Sequence, residues 1–223
     1  MIFDDSRYRK DFGQRISTIR RILEAADPML PEGGDGSIGR EVRGLVIVLM
    51  YASYEKLMQD ICRGLLEAAK RLRVGNKRLR PGFRLFSIHG YLASISDQNK
   101  ADSLAKTGLK LLLEASKARE CTINPSVFPS DGTFMKRSQV TFICDLFGLG
   151  DPGRLLREIW ERLDGIVAAR NAIAHGSSTP EEVGRRYTPQ EMRDLVGIWE
   201  ERWLSFIDNV TAKANNRDFF RKR

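Results

Sequence analysis

Histidine is nearly missing from this chain: only His89 and His175 occur in 223 residues. Cysteine is scarce as well. Cys62, Cys121 and Cys144 are odd in number and widely spaced, so they form neither a disulfide framework nor a zinc pattern. With so few soft ligands no metal site is expected, and no cofactor is implied. No HExxH, Walker or GxSxG motif is present. Long apolar runs are absent too. The most apolar stretch, LVIVLMYA at 45–52, falls far short of the ~20 residues that a membrane span requires. The opening MIFDDSRYRK has no apolar segment, so no targeting signal and no membrane partner are expected. A reducing cytoplasm is the simplest compartment for such a chain.

Strand patterning is another absence, for no set of alternating segments and no internal repeat occurs. Helical periodicity takes its place. Phe12, Ile16, Ile19 and Leu23 predict a helix from Asp4 to Ala26, ended by Asp27-Pro28 before the loop LPEGGDGSIG. Val46, Leu49, Met50, Ser53, Leu57, Ile61 and Leu65 predict a long helix over Gly39–Val74, apolar on all sides near Leu45–Ala52 and therefore central. Shorter helices fit Phe83–Ile95 and Lys100–Ser116. CTINPSVFPSDGTF reads as irregular, and Gln139–Phe147 fits a short helix or a short strand. One helix is expected from Pro152 to His175, capped by Asp151. Capping boxes begin at Thr179 and Thr188, and the second opens a helix through Trp199, Trp203 and Phe206. The tail FFRKR reads as frayed. The expectation is an all-α, up-and-down bundle forming a single domain over 1–223, with a core of roughly 1–74 and 152–214 and an irregular, partly helical insertion at 75–150.

Acidic residues are missing from Ala68 to Ser96, although the chain as a whole carries 29 of them. Within that gap lie Lys70, Arg71, Arg73, Lys77, Arg78, Arg80 and Arg84. Seven cations in fifteen residues nearly equal the net charge of +8. A concentrated positive potential attracts phosphates, so Lys70, Arg71, Arg73, Lys77, Arg78 and Arg80 are candidate RNA contacts. Phe83 and Phe86 are candidates to stack on unpaired bases. The competing reading is a solvated helix end whose cations favour the C-terminal dipole.

GLGDPG at 148–153 spells a dinucleotide fingerprint, but no strand precedes it, so it reads as a loop ending in the Asp151 cap. His89 has no ligand at useful spacing. RNAIAHG, at 170–176, is more informative. The apolar series Leu156, Ile159, Leu163, Ile166 continues at Arg170 and Ile173, placing a guanidinium where packing alone wants leucine. Such a group requires a partner or a wet cleft. Asn171 and His175 share a face, whereas Arg170 and His175 are about 140° apart on an ideal helix. Gly176 suits a helix end, which loosens that geometry. Ala168, Ala169, Ala172 and Ala174 leave room for another helix, one that a second copy of the chain could supply. Arginine, asparagine and histidine without a metal suit RNA cleavage. Histidine, titrating near ~6.5, takes the 2′-hydroxyl proton or protonates the leaving 5′-oxygen, and arginine's paired donors steady the phosphate.

RNAIAHG also resembles the signature of HEPN-superfamily ribonucleases, in which four to six residues separate an arginine from a histidine. Its Arg-Asn and His-Gly ends are similar to the RiboL-PSP-HEPN branch. LVIVLMYASYEKLMQDI, with Tyr54-Glu55 in its middle, resembles that family's early core helix. The likeness covers the helical core, about half of the chain, and leaves 75–150 unplaced.

The resemblance implies a homodimeric, metal-independent endoribonuclease of defence, stress or toxin–antitoxin biology. Its products carry a 2′,3′-cyclic phosphate and a 5′-hydroxyl. Arg170, His175 and Asn171 take the family's catalytic positions. Glu55 either orients the site across the helix pair or is a plain surface glutamate. Relatives silenced by a nucleotidyltransferase carry a tyrosine two places after the histidine; Ser177 stands there, so an antitoxin of that type is not implied, although another antitoxin or regulator protein is a possible partner. The alternative is a non-catalytic module of the same fold that binds RNA or protein.

Overall fold

The longest striped segment becomes the longest helix, and the rest of the chain is arranged around it. The computed structural model describes residues 3–26, 36–96, 101–118, 120–128 and 136–222. The helices are α1 (Ser6–Ala26), α2 (Ser37–Arg71), α3 (Pro81–Ser96), α4 (Ala101–Ala115), α5 (Arg137–Phe147), α6 (Pro152–Leu156), α7 (Glu158–Ala174), α8 (Pro180–Gly184) and α9 (Pro189–Asn215). Single 3-10 turns sit at Asn76–Arg78 and Pro125–Val127. Among the described residues the fold is all-helical, and Leu79 and Arg221 pair in an isolated antiparallel bridge.

α2 is the axis of the core. Val46, Ile47, Met50, Tyr54, Leu57, Ile61 and Leu65 are buried along it. α1 lays Phe12, Ile16, Ile19 and Leu23 into the same core, and α9 adds Trp199, Trp203, Phe206 and Val210. Tyr54 stacks on Trp203 and meets Trp199 edge-on, so aromatic surface joins α2 to α9. Burying rings of this size is a large part of what holds the helices together. Leu45 and Leu49 depart from the expected all-round burial, being 47% and 36% exposed. They occupy the face of α2 that no other described element covers, one turn apart.

Residues 75–150 add to the core more than an insertion would. Leu79, Phe83, Phe128, Val140, Ile143 and Phe147 belong to one continuous cluster with the bundle. Phe83 and Phe86 are 0% and 7% exposed, against Phe147 and Phe220. Both are core residues, although Phe86 also lines a groove with His89, Tyr91 and Asn124. The tail is likewise docked, not frayed. Phe219 and Phe220 are buried, and the Arg80 amide donates to the Phe220 carbonyl at 3.1 Å. A Phe-Phe pair is too apolar to leave in water when a ring cluster is within reach. Residues 27–35, 97–100 and 129–135, with the expected helix end at Asp27-Pro28 and most of the loop LPEGGDGSIG, lie outside the described residues.

The expected single helix from Pro152 to His175 is broken. Arg157 takes φ +44° and ψ −115°, ending α6 and starting α7. Leu156, Ile159, Leu163 and Ile166 are nevertheless buried on both sides of the break. The Asp151 carboxylate accepts from the Gly153 amide at 2.9 Å, and Gly148 and Gly150 both have positive φ. GLGDPG is thus a capping loop between α5 and α6. Gln139–Phe147 is helical, within α5.

α8 lies across the N-terminal half of α2. A methyl group at Gly44 would overlap the Pro180 carbonyl, and one at Gly184 would overlap that of Arg40. Two bare backbones make this crossing, and the buried Arg43 guanidinium donates to the Gly184 carbonyl across it at 3.2 Å. The chain that follows RNAIAHG is thereby anchored to α2.

Candidate functional site

The site is assembled where the last turns of α7 cross the middle of α2. Arg170 interrupts the apolar stripe of α7, which Ile173 resumes against the core, and it is half-buried. Its guanidinium carbon stands 4.5 Å from the centre of the Tyr51 ring. A cation over an aromatic face is held by the ring's quadrupole, at roughly 0.5–2 kcal/mol according to exposure. One Arg170 Nη also donates to the Asn171 carboxamide oxygen at 2.9 Å. These two contacts answer the problem of a guanidinium on an apolar stripe. The group is partnered on one side and wet on the other.

Glu55 is one turn beyond Tyr51 on α2 and is half-buried. Burial raises its carboxyl pKa above the usual carboxylate value, and the Arg170 charge offsets part of that rise. The Tyr51 hydroxyl is raised as well, by burial and by Glu55, against a lowering from Arg170. Three groups therefore share one electrostatic environment: a carboxylate, a phenol and a guanidinium from two crossing helices.

His175 is the C-cap of α7 and is exposed. Its amide donates to the Asn171 carbonyl at 2.9 Å. Gly176 follows at φ +72°, the left-handed conformation that glycine adopts without steric cost. The Gly176 amide then reaches the Ile173 carbonyl at 3.1 Å, and the Ser177 amide reaches that of Ala172 at 2.9 Å. This paired pattern is a Schellman turn, which satisfies the last carbonyls of the helix. Among the described residues the imidazole makes no hydrogen bond. Asn171 and His175 share a face as the spacing predicts, but the Asn171 carboxamide oxygen accepts from Arg170.

The structure thus gathers Arg170, Asn171 and Glu55, and holds His175 at the helix end beside them. Sequence reasoning missed Tyr51. It singled out Tyr54, which is fully buried against the tryptophans. Tyr51 and Glu55 are four apart and share a face, whereas Tyr54 points into the core; the spacing alone does not say which of those faces meets α7. Of the four alanines, Ala168 and Ala174 are exposed and Ala172 is half-exposed. Ala169 is 7% exposed and already packed within this chain, so it offers no room to a second one.

The six predicted RNA contacts divide. Lys70, Arg71, Arg73, Lys77 and Arg78 are exposed. Arg80 is drawn toward the tail, its Nε donating to the Arg221 carbonyl at 3.2 Å and its guanidinium lying 5.8 Å from the Phe219 ring. Arg84 in turn donates to the Leu79 carbonyl at 3.1 Å. Both are used at least in part to hold loop and tail.

His89 is exposed on α3. Cys62 and Cys144 are buried free thiols, and burial pushes the Cys144 thiol up to about 12. Among the described residues no three His, Cys, Asp or Glu side chains group closely enough to hold a metal ion, and no helix is long and apolar enough to cross a membrane. Comparison with family models, with curated proteins and with solved structures finds no match to this chain.

Proposed function

We propose that this protein is a metal-independent endoribonuclease of the HEPN type, acting as a homodimer at the junction of α2 and α7. The observation that carries this reading is Arg170. It is held over Tyr51 beside Glu55 and Asn171, with a solvent-facing face, five residues before an exposed histidine fixed by a Schellman turn. A guanidinium so oriented presents paired donors to a phosphodiester. As the 2′-oxygen attacks the adjacent phosphorus, its proton leaves and the bond to the 5′-oxygen breaks. A 2′,3′-cyclic phosphate and a 5′-hydroxyl result. His175 takes the 2′ proton or supplies the one that the 5′-oxygen needs, and Arg170 stabilises the charge on the phosphorane. Asn171 and Glu55 set the orientation of Arg170.

The dimer is supported by exposed Leu45 and Leu49 on α2, and by exposed Ala168 and Ala174 on α7, the helix that carries the site. A second copy seated there would bring two Arg170–His175 sets toward one groove. The biology proposed is defence, stress or toxin–antitoxin control in the cytoplasm, with RNA as substrate and an antitoxin or regulator protein as a further partner.

The test is RNA cleavage in EDTA by wild type, Arg170→Ala and His175→Ala, with termini identified by mass. Loss of cleavage in both variants and cyclic-phosphate ends are expected. Unchanged cleavage in both variants overturns the reading. The second reading, a non-catalytic RNA- or protein-binding module, is favoured by the unbonded His175 imidazole. It predicts no cleavage at any enzyme concentration, with variants that lose melting temperature or dimerisation instead.

A further inference from the structure

The exposed part of the basic segment has a definite shape. The last turns of α2 and the turn at 124–126 enclose an open groove of about 660 Å³, lined by Arg63, Glu67, Lys70, Arg71, Asn124 and Ser126. A second groove of about 560 Å³ shares Lys70 and Arg71 with it and adds Arg73, Glu120 and Cys121. The two are continuous through their common lysine and arginine. Four cations line this trough against two carboxylates, and one of these, Glu67, is paired with Arg71 at 3.7 Å.

Two details set the trough apart from an ordinary solvated helix end. The Arg63 Nε is buried and has no hydrogen-bond partner among the described residues. A buried donor left in that state is unfavourable unless an acceptor reaches it. Arg73 is held at φ +50°, a conformation that glycine takes freely and arginine does not. The backbone is strained there while keeping a guanidinium at the edge of the trough. Asn124 and Ser126 face these cations from the opposite wall. Asn124 spends its carboxamide oxygen on the Ser126 amide and hydroxyl, at 3.1 and 2.7 Å, which leaves its amide hydrogens for an acceptor.

No aromatic ring lines either groove; Phe86 and Tyr91 line a third groove, which meets the first at Asn124. A ligand here is therefore held by its charge and not by its bases. Arg63 is eight residues past Glu55 on α2, which is about 12 Å along the axis and about 80° around it. A strand cut at Arg170 can run along α2 into this trough.

We infer that the trough formed by Arg63, Lys70, Arg71 and Arg73 with the Asn124–Ser126 turn is a track for the phosphate backbone of single-stranded RNA, indifferent to base sequence. The inference rests on the ribonuclease reading for its ligand, and it moves the RNA-binding surface. Arg63, Asn124 and Ser126 join it, and Lys77, Arg78 and Arg80 lie outside its lining.

The experiment uses the full chain carrying His175→Ala, so that RNA stays intact. Fluorescein-labelled oligouridylate and oligoadenylate, each about a dozen nucleotides long, are titrated by anisotropy across about 50–200 mM salt. Lys70→Gln/Arg71→Gln, both at exposed positions, and Arg63→Gln are compared with Arg186→Gln, an exposed arginine beside α8. Melting curves confirm folding. Expected are equal affinities for the two oligonucleotides, and about a tenfold loss in the double variant at the lowest salt. The salt slope should fall by about 0.7 for each charge removed. Arg186→Gln should bind as the parent does.

Unchanged affinity and slope in folded groove variants overturn the inference. So does a parent that ignores both oligonucleotides yet binds polyglutamate through these residues, which would make the trough a site for acidic protein. Binding that depends on the groove, in a protein whose unmutated form never cuts RNA, leaves the inference standing and removes the ribonuclease reading. RNA cutting that groove variants perform like wild type at every salt removes the inference alone.

Discussion

The guanidinium of Arg170 rests on the ring of Tyr51, with 4.5 Å between its central carbon and the ring centre. The two residues come from different helices, so the contact fixes the end of α7 against the middle of α2. What Arg170 requires of Tyr51 is the ring, not the hydroxyl. On the ribonuclease reading proposed above, Tyr51→Phe should keep RNA cleavage within a few-fold of wild type, whereas Tyr51→Leu should lower it by about two- to thirtyfold, the rate equivalent of one cation–π contact of roughly 0.5–2 kcal/mol. Arg170→Lys keeps the charge but loses the planar fork, and about a hundredfold loss is expected. Steady-state cleavage of one defined RNA measures all three; a fully active Tyr51→Leu would show that the ring does not position the arginine.

Glu55 predicts a pH dependence of stability. Its folded pKa is raised above the ordinary carboxylate value, by burial more than Arg170 lowers it. The native state then holds the proton more tightly than the unfolded chain does, so stability is greatest below the unfolded pKa and declines as pH rises to the folded one. Above that window the charged carboxylate is a standing cost. Glu55→Gln should raise the melting temperature relative to wild type at pH 7, and by less at pH 4. An equal shift at both pH values would show that the carboxylate is not the cause.

Arg157 predicts a stabilising substitution. Its φ of +44° with ψ −115° is a conformation reserved almost entirely for glycine. Arg157→Gly should stabilise the protein by about 1 kcal/mol, because the strain relieved outweighs the extra freedom of the unfolded glycine. Urea unfolding at unchanged slope gives the difference.

Phe220 predicts the opposite. It is fully buried against Phe83. Phe220→Ala should cost about 3–5 kcal/mol, a loss that a frayed tail would not show. Chemical denaturation followed by tryptophan fluorescence reads it, since Trp199 and Trp203 report on the core that would be loosened.

The helices were legible in the sequence because apolar residues recur at 3.6-residue spacing over long stretches, and because Thr179, Thr188 and Asp151 announce their caps. α1, α2, α3, α4 and α9 lie where the sequence places them, within a few residues, whereas α5 covers a stretch equally readable as a short strand. Three things were hidden. The break at Arg157 is made by a residue that carries no breaker signal, and the stripe continues across it. Phe83, Phe86 and the terminal Phe219-Phe220 meet only in three dimensions, so basic neighbours made the first two look exposed and position made the last two look loose. At the site, Arg170 stood out because it violates the stripe, but its partner did not. The choice between Tyr51 and Tyr54 depends on which face of α2 meets α7, and no local pattern states that.

The crossing of Gly44 and Gly184 has a consequence for motion. Only five residues, 175–179, separate the end of α7 from α8, and α8 sits directly on the α2 backbone. The histidine segment is therefore tied at both ends to helices that share the core. The amides of Gly176 and Ser177 should exchange with solvent on the timescale of core opening, far more slowly than their surface position implies. For the imidazole this means a side chain free to turn on a backbone that is not free to drift, so that on the ribonuclease reading a rotamer change, with no loop closure, brings it to substrate.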